Sequence, residues 1–217
     1  MTRLYLFADE AGDFEFRRGK NISRYFILCT VTMTTCAVGH ALLDLRRRLA
    51  WENAPLGEYF HATTDKQVVR DAVFAELANH DFHVQATIME KTKAQPQVRR
   101  DKPRFYQYGW YYHFRFGLRP RLGQYTELLA TAASLGTRRE RIAFSDAVEN
   151  VLLQFAGTEW RTYCCPASSD PCLQVADYCA WAIQRKWELN DTRSYALIAN
   201  RIGYQYDLWQ QGTKLFY

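Results

Sequence analysis

No apolar run in this 217-residue chain approaches the roughly 18–20 residues that a membrane helix needs. Its opening, Met1-Thr2-Arg3-Leu4-Tyr5-Leu6-Phe7, reaches Asp9 and Glu10 at once. It therefore has neither the longer apolar stretch nor the small-residue cleavage site of a secretory signal. A cytoplasmic protein without a membrane partner is the expectation. The six cysteines, Cys29, Cys36, Cys164, Cys165, Cys172 and Cys179, form no C-x-x-C pair. A zinc site among the last four would lack the usual ligand spacing, and buried free thiols are the simpler reading. There is no G-x-S-x-G, no P-loop and no H-E-x-x-H, which argues against serine hydrolases, P-loop NTPases and zinc proteases. Internal repeats, low-complexity tracts and linkers are also missing, so residues 1–217 are expected to form one domain.

What is present is ordinary in bulk and unusual in detail. Hydrophobic residues make up 48% and charged residues 24%, which excludes disordered, collagen-like and coiled-coil chains. A chain of this length buries about 70% of its unfolded surface and needs no disulfide or metal to fold. Aromatics are high at 15%, and the net charge is +5. Of the 28 basic residues, 21 are Arg and only 7 are Lys. The planar guanidinium fork grips phosphate and stacks on rings better than an ammonium does, so the composition is compatible with nucleic acid.

Strand and helix patterns alternate along the chain, which predicts an α/β fold. Strands are expected at Arg3–Ala8, Tyr25–Met33 (hairpinned to the first), Phe82–Met89, Arg141–Phe144 and Trp160–Cys165. Helices are expected at Ala41–Trp51, from an N-cap at Thr64 to Ala78, and at Phe105–Gly117, Tyr125–Leu135, Ser145–Phe155, Cys172–Glu188 and Arg193–Ile202. Residues 95–137 read as a helical, basic and aromatic insertion. Ser169-Asp170-Pro171 is a helix start, with proline at the first helical position.

Two segments carry the chemistry. Asp9-Glu10-Ala11-Gly12-Asp13 places three carboxylates in five residues where the first strand ends. Like charges so close call for water or a hard cation such as magnesium or manganese, or simply for a solvated turn. The second segment is Leu173-Gln174-Val175-Ala176-Asp177 inside the late helix. Asp177 falls at the edge of that helix's apolar stripe, so it is expected to be half buried and to need a partner: an arginine, a backbone amide or a metal ion. Gln174 can hydrogen-bond the same group or a ligand.

Together these segments resemble a large, mostly bacterial and phage family labelled a domain of unknown function. Its marks are D-E-S-G on the first strand, L-Q-x-A-D on a late helix and a His after a central loop. They stand here as Asp9-Glu10-Ala11-Gly12, Leu173-Gln174-Val175-Ala176-Asp177 and Phe60-His61-Ala62. Ala11 replaces the usual Ser, so any role of that hydroxyl is missing. The resemblance implies a ribonuclease-H-like mixed sheet flanked by helices. It also implies carboxylates from the first strand, a middle strand and a late helix that converge on two divalent ions. Such ions, about 3.5–4 Å apart, clamp the attacking and leaving oxygens of a phosphodiester. Asp9 and Asp177 match two of those positions, with Mg2+ or Mn2+ as the expected cofactor. Asp146 fits the third by order, although Asp146 with Glu149 also reads as a capping box. Glu10 and Asp13 are further candidates beside Asp9. His61 is a candidate to orient water or touch phosphate. Asp65 reads as a first-turn helix acid.

The implied activity is a metal-dependent phosphodiesterase, most simply a nuclease acting on RNA or DNA; the alternative is a non-catalytic nucleic-acid-binding or partner-binding module. Candidate phosphate contacts are Arg17 and Arg18 in the first hairpin and Arg99, Arg100 and Arg104 in the basic aromatic stretch, where interleaved rings can stack bases or pack in the core. Tyr206, Trp209, Phe216 and Tyr217 are expected to be exposed, which would suit a protein partner or a second copy of the chain.

Overall fold

The first strand, β1 (Arg3–Ala11), runs three residues past its expected end. A computed structural model of the protein describes residues 2–133, 138–155, 157 and 159–217. Asp9 and Glu10 therefore lie on the strand and not in the turn. The chain turns at Gly12, whose φ of 104° suits glycine. A Cβ there would stand 2.4 Å from the Tyr25 carbonyl oxygen, so no larger residue fits. Strand β2 (Tyr25–Met33) is buried along its whole length and pairs antiparallel with β1, Asp9 opposite Cys29. Strand β3 (His83–Glu90) pairs antiparallel with β2.

Strand β4 (Glu127–Ala133) occupies most of the segment expected to be a helix at Tyr125–Leu135. A short apolar run such as Leu128–Ala133 has no readable period, and parallel strands covered on both faces look like this. It lies parallel to β1, with Ala8 beside Ala132, and parallel to β5 (Glu159–Cys165). Strand β6 (Ile202–Asp207), which the sequence reading included only as a helix end, joins β3 in parallel. The described strands form one mixed sheet in the order β5-β4-β1-β2-β3-β6. With helices on both faces, this is the expected α/β architecture of a mixed sheet flanked by helices.

One face is covered by α1 (Ala37–Trp51), α2 (Gln67–Leu77) and α6 (Pro171–Leu189), through a core that includes Phe7, Ile27, Leu42, Phe74 and Val175. The other face carries α3 (Lys102–Tyr112), a π-helical turn (His113–Leu118), the short α4 (Arg119–Leu122) and α5 (Arg138–Phe155), packed on Leu6, Phe26, Leu28 and Leu128. Each such side chain contributes about 1.5–3 kcal/mol on burial. A one-residue slip of β1 would exchange its two faces, so packing fixes its register. Helix α7 (Arg193–Ile198) leads to β6.

Two expectations change here. Arg141–Phe144 is not a strand; it belongs to α5, whose buried residues Ala147, Val148, Val151 and Leu152 recur at helical spacing. Within residues 95–137, the helical part ends at Leu122 and β4 belongs to the central sheet. Among the described residues, no helix is long and apolar enough to cross a membrane.

Candidate active site

The chain leaves β1 toward β2 on one side, while β4 is followed by β5 on the other. The carboxyl ends of β1 and β4 thus flank a topological switch point, where α/β sheets bind their ligands. Asp9 and Glu10 stand there. Successive strand residues face opposite ways. Phe7 and Ala11 belong to the core under α6, so Asp9 between them faces that side. Leu6 and Ala8 belong to the core under α3, so Glu10 faces α3, where its Oε1 accepts the Tyr106 hydroxyl proton.

Asp177 comes from the second turn of α6. Its helix starts as expected: Asp170 caps it, accepting the Cys172 N–H at 2.8 Å, and Pro171 holds the first position. Asp177 Oδ2 accepts the Ala62 N–H at 2.7 Å, from the loop between α1 and α2. Asp9 Oδ1 accepts the Glu10 N–H at 2.9 Å. All three carboxylates are half-buried. Burial, then the charges of Glu10 and Asp177, holds Asp9 well above the ordinary carboxylate range. Burial pushes Glu10 up to about 7 despite the Tyr106 bond. Burial also raises Asp177, opposed by the Ala62 N–H and the nearby His61. Glu10 Oε2 is buried with no hydrogen-bond partner.

His61 lies in the same loop, its ring edge-on to Tyr59 at 5.9 Å between centroids, and its Nδ1 is buried and unpartnered. Thr64 does not cap α2. Its hydroxyl closes the loop on the His61 carbonyl at 3.3 Å, and the helix starts only at Gln67. Asp65, read as a first-turn acid, precedes the helix and is 5% exposed. It accepts the His61 N–H at 2.9 Å and the Tyr178 hydroxyl at 2.5 Å. Asp65 and Tyr178 are the site residues that the sequence reading missed. Only the four-residue spacing from His61 pointed to Asp65.

Other candidates lie elsewhere. Asp146 sits inside α5, exposed, on a cavity of about 630 Å³ that it shares with Asp101 and Arg104 of the α3 side. It stands neither at a strand end nor at a helix cap, because α5 begins eight residues earlier. Glu149 Oε1 instead accepts the Thr162 hydroxyl at 2.7 Å. The described residues of β4 offer alanines where a middle-strand acid was expected, and its only acid, Glu127, pairs with Arg3 at 2.7 Å. Asp13 is bound by Lys91 at 2.7 Å and belongs to the turn.

Arg17 and Arg18 are exposed in the β1–β2 loop, on a cavity of about 350 Å³ with Glu90 and Glu188. Arg100 and Arg104 are exposed, and Arg99 lies over the Tyr217 ring at 4.8 Å. Gln174 is buried, its Nε2 donating to the Ala167 carbonyl at 3.1 Å just ahead of α6. Phe105, Tyr106, Trp110 and Phe114 of the aromatic stretch are core. Trp209 stacks on Tyr108 and is not free, and Phe216 and Tyr217 are only half exposed. The cysteines are free, four of them buried.

Among the described residues, no three His, Cys, Asp or Glu side chains stand ready as a closed metal cage. The donor chemistry nonetheless fits a hard cation. Mg2+ is ordinarily held by one or two carboxylates, with waters and substrate oxygens completing its shell. The half-buried Asp9, Asp177 and Glu10 resist carrying their charges without a counterion.

No protein-family model matches the chain, and no curated protein matches it. Among solved structures it is similar to the PCNA:RNase HII complex from Archaeoglobus fulgidus. The identity is 12% and the TM-score 0.48, over 88% of this chain and 75% of that one.

Proposed function

We propose that this protein is a divalent-metal-dependent phosphodiesterase, a nuclease of RNA or DNA, in keeping with the resemblance to the D-E-S-G and L-Q-x-A-D family. One observation carries the reading: acids 168 positions apart in sequence share one face of the sheet, Asp9 on β1 between the core residues Phe7 and Ala11, and Asp177 on the helix α6 that covers them. A like-charge pair even half removed from water is costly unless a cation joins it. Asp9 and Asp177 would hold Mg2+ or Mn2+, with Glu10 at the same strand end on the opposite face. The bound ion would neutralise charge on the phosphate oxygens and make water a better nucleophile.

The chain's own residues orient and bind. The Ala62 N–H fixes the rotamer of Asp177, and the Glu10 N–H that of Asp9. His61, next to Ala62 in the same loop, would donate a hydrogen bond to a phosphate or a water. Arg17, Arg18, Arg100 and Arg104, all exposed, supply phosphate contacts outside the acidic centre. Asp146 is left out of the ligand set.

The test is cleavage of end-labelled RNA and DNA with EDTA, Mg2+ or Mn2+. Cleavage should require the metal and fall by at least about a hundredfold in Asp9→Asn and in Asp177→Asn, a loss of the size seen when electrostatic stabilisation is removed. Unchanged cleavage by both folded variants would overturn the proposal.

A further inference from the structure

The geometry points to Asp65 and Tyr178 as positioning residues that set the Asp177–His61 corner of the site. This rests on the reading of Asp177 as a metal ligand. Two consecutive loop amides serve two different carboxylates: His61 N–H goes to Asp65 and Ala62 N–H to Asp177. The two peptide planes are adjacent, so the orientation of the first constrains the second. The carboxylates are tied in turn to one stretch of α6. Asp177 is on it, and its neighbour Tyr178 donates to the same Asp65 oxygen that takes the His61 amide, at 2.5 Å. Loop, ligand and helix form a closed ring of hydrogen bonds.

The ring is held from outside as well. Arg70 of α2 donates to the carbonyls of Ala62, at 3.0 Å, and of Asp65, and its guanidinium covers the Trp181 ring at 5.0 Å. Phe74 meets the Tyr178 ring at 5.3 Å. Ala62 and Tyr178 are fully buried, and Asp65 nearly so. An apolar residue would brace a loop at lower cost than a buried carboxylate. A carboxylate is warranted where two donors must be held at fixed directions beside a ligand. Partners that orient metal-binding carboxylates typically change metal affinity or activity 10–100-fold when removed.

The experiment compares the parent, Asp65→Ala, Asp65→Asn and Tyr178→Phe as full-length chains. Mn2+ affinity is measured by calorimetry, amide exchange at His61 and Ala62 by NMR, and the His61 ring signals by 15N correlation spectra. In Asp65→Ala, Mn2+ affinity should fall about 10–100-fold. Both amides should lose protection and the His61 ring signals should move. Asp65→Asn should recover most of that affinity, since one carbonyl oxygen can accept both bonds. Tyr178→Phe, the mildest change, should shift all three readouts in the same direction and decides the matter if Asp65→Ala does not fold. Unchanged affinity, exchange and ring signals in folded Tyr178→Phe and Asp65→Ala would overturn the positioning role. If the parent itself binds no Mn2+, the metal reading fails, and the exchange and ring signals still decide whether the ring of bonds orients His61.

Discussion

Asp9 and Glu10 are adjacent on β1 yet serve opposite sides of the sheet, Asp9 toward Asp177 of α6 and Glu10 toward Tyr106 of α3. The two acids therefore point to opposite faces of the sheet, and they feel each other mainly through charge. Without metal, this arrangement costs stability. Asp9→Asn removes one charge from the cluster and should stabilise the metal-free protein by about 1 kcal/mol, or roughly 2–4 °C in Tm for a chain of this size. The same variant should lose the upward Tm shift that Mn2+ gives the parent. Thermal unfolding in EDTA and in Mn2+ checks both halves. A metal-free Asp9→Asn that melts clearly below the parent would show the carboxylate to be structural.

Both halves of this pair were legible in the sequence because each rests on a local pattern: an acidic cluster after a short apolar strand, and an acid at the edge of a helical stripe. Strand β2 was legible to the residue, since nine consecutive residues rich in β-branched and aromatic types admit no other period. Strand β4 was not, because seven mostly small apolar residues fit a strand or a helix equally well until β1 and β5 claim their backbone hydrogen bonds. That error displaced the next element too. With no strand recognised at β4, Arg141–Phe144 took its place, and Asp146 took the role of the middle acid. Asp65 and Tyr178 were hidden for another reason: their roles depend on a contact across 113 positions that no local pattern encodes.

The candidate nucleic-acid contacts named from sequence divide into two groups with different expected behaviour. Arg100 and Arg104 are exposed, whereas Gln174 is buried and donates to Ala167. Arg100→Ala and Arg104→Ala should each weaken oligonucleotide binding and lower the slope of log K against log salt by about one. Gln174→Ala should leave that slope unchanged and lower Tm, because it strips a partner from the Ala167 carbonyl in the turn that precedes α6. Fluorescence anisotropy across a salt series, with melting curves alongside, separates the two.

Lys91 predicts a loop effect at a distance. Its side chain is 1% exposed, and Nζ donates to Asp13 Oδ1 at 2.7 Å and to the carbonyls of Asp13 and Glu15, both at 3.0 Å. All three ammonium protons are used, which is how a buried lysine is tolerated. Lys91→Met keeps the apolar stem but leaves a carboxylate and two carbonyls without their donor. It should cost about 1–3 kcal/mol, the usual result of leaving polar groups without their donor, because the partly exposed Asp13 keeps water and two backbone N–H donors. The loop after β1 should then become a protease site ahead of global unfolding. Limited proteolysis with mass mapping would reveal the first cut, and a first cut elsewhere would disconnect Lys91 from the loop.

His113 gives the pH dependence. It lies in the π-helical turn, fully buried between the Thr30 hydroxyl at 2.8 Å and the Thr87 hydroxyl at 2.9 Å. Burial lowers its pKa from 6.5 to about 3, so the folded protein keeps it neutral where the unfolded chain protonates it. Between pH 6.5 and about 3 the unfolded state binds one more proton at this site, and stability from His113 is lost as pH falls, by up to about 1.4 kcal/mol per unit. The raised pKa values of Asp9, Glu10 and Asp177 act with the opposite sign, because there the folded state gains protons first as pH falls. A single acid titration of the parent therefore mixes the two. Comparing the parent with His113→Gln cancels the carboxylates, which both proteins share. The variant should be less stable at pH 7, since glutamine cannot match both hydroxyls at those positions. Its deficit should shrink by about 2–3 kcal/mol between pH 6 and pH 4. Urea unfolding at each pH measures the difference, and a deficit that stays constant over that range would mean that the buried imidazole is protonated in the native protein.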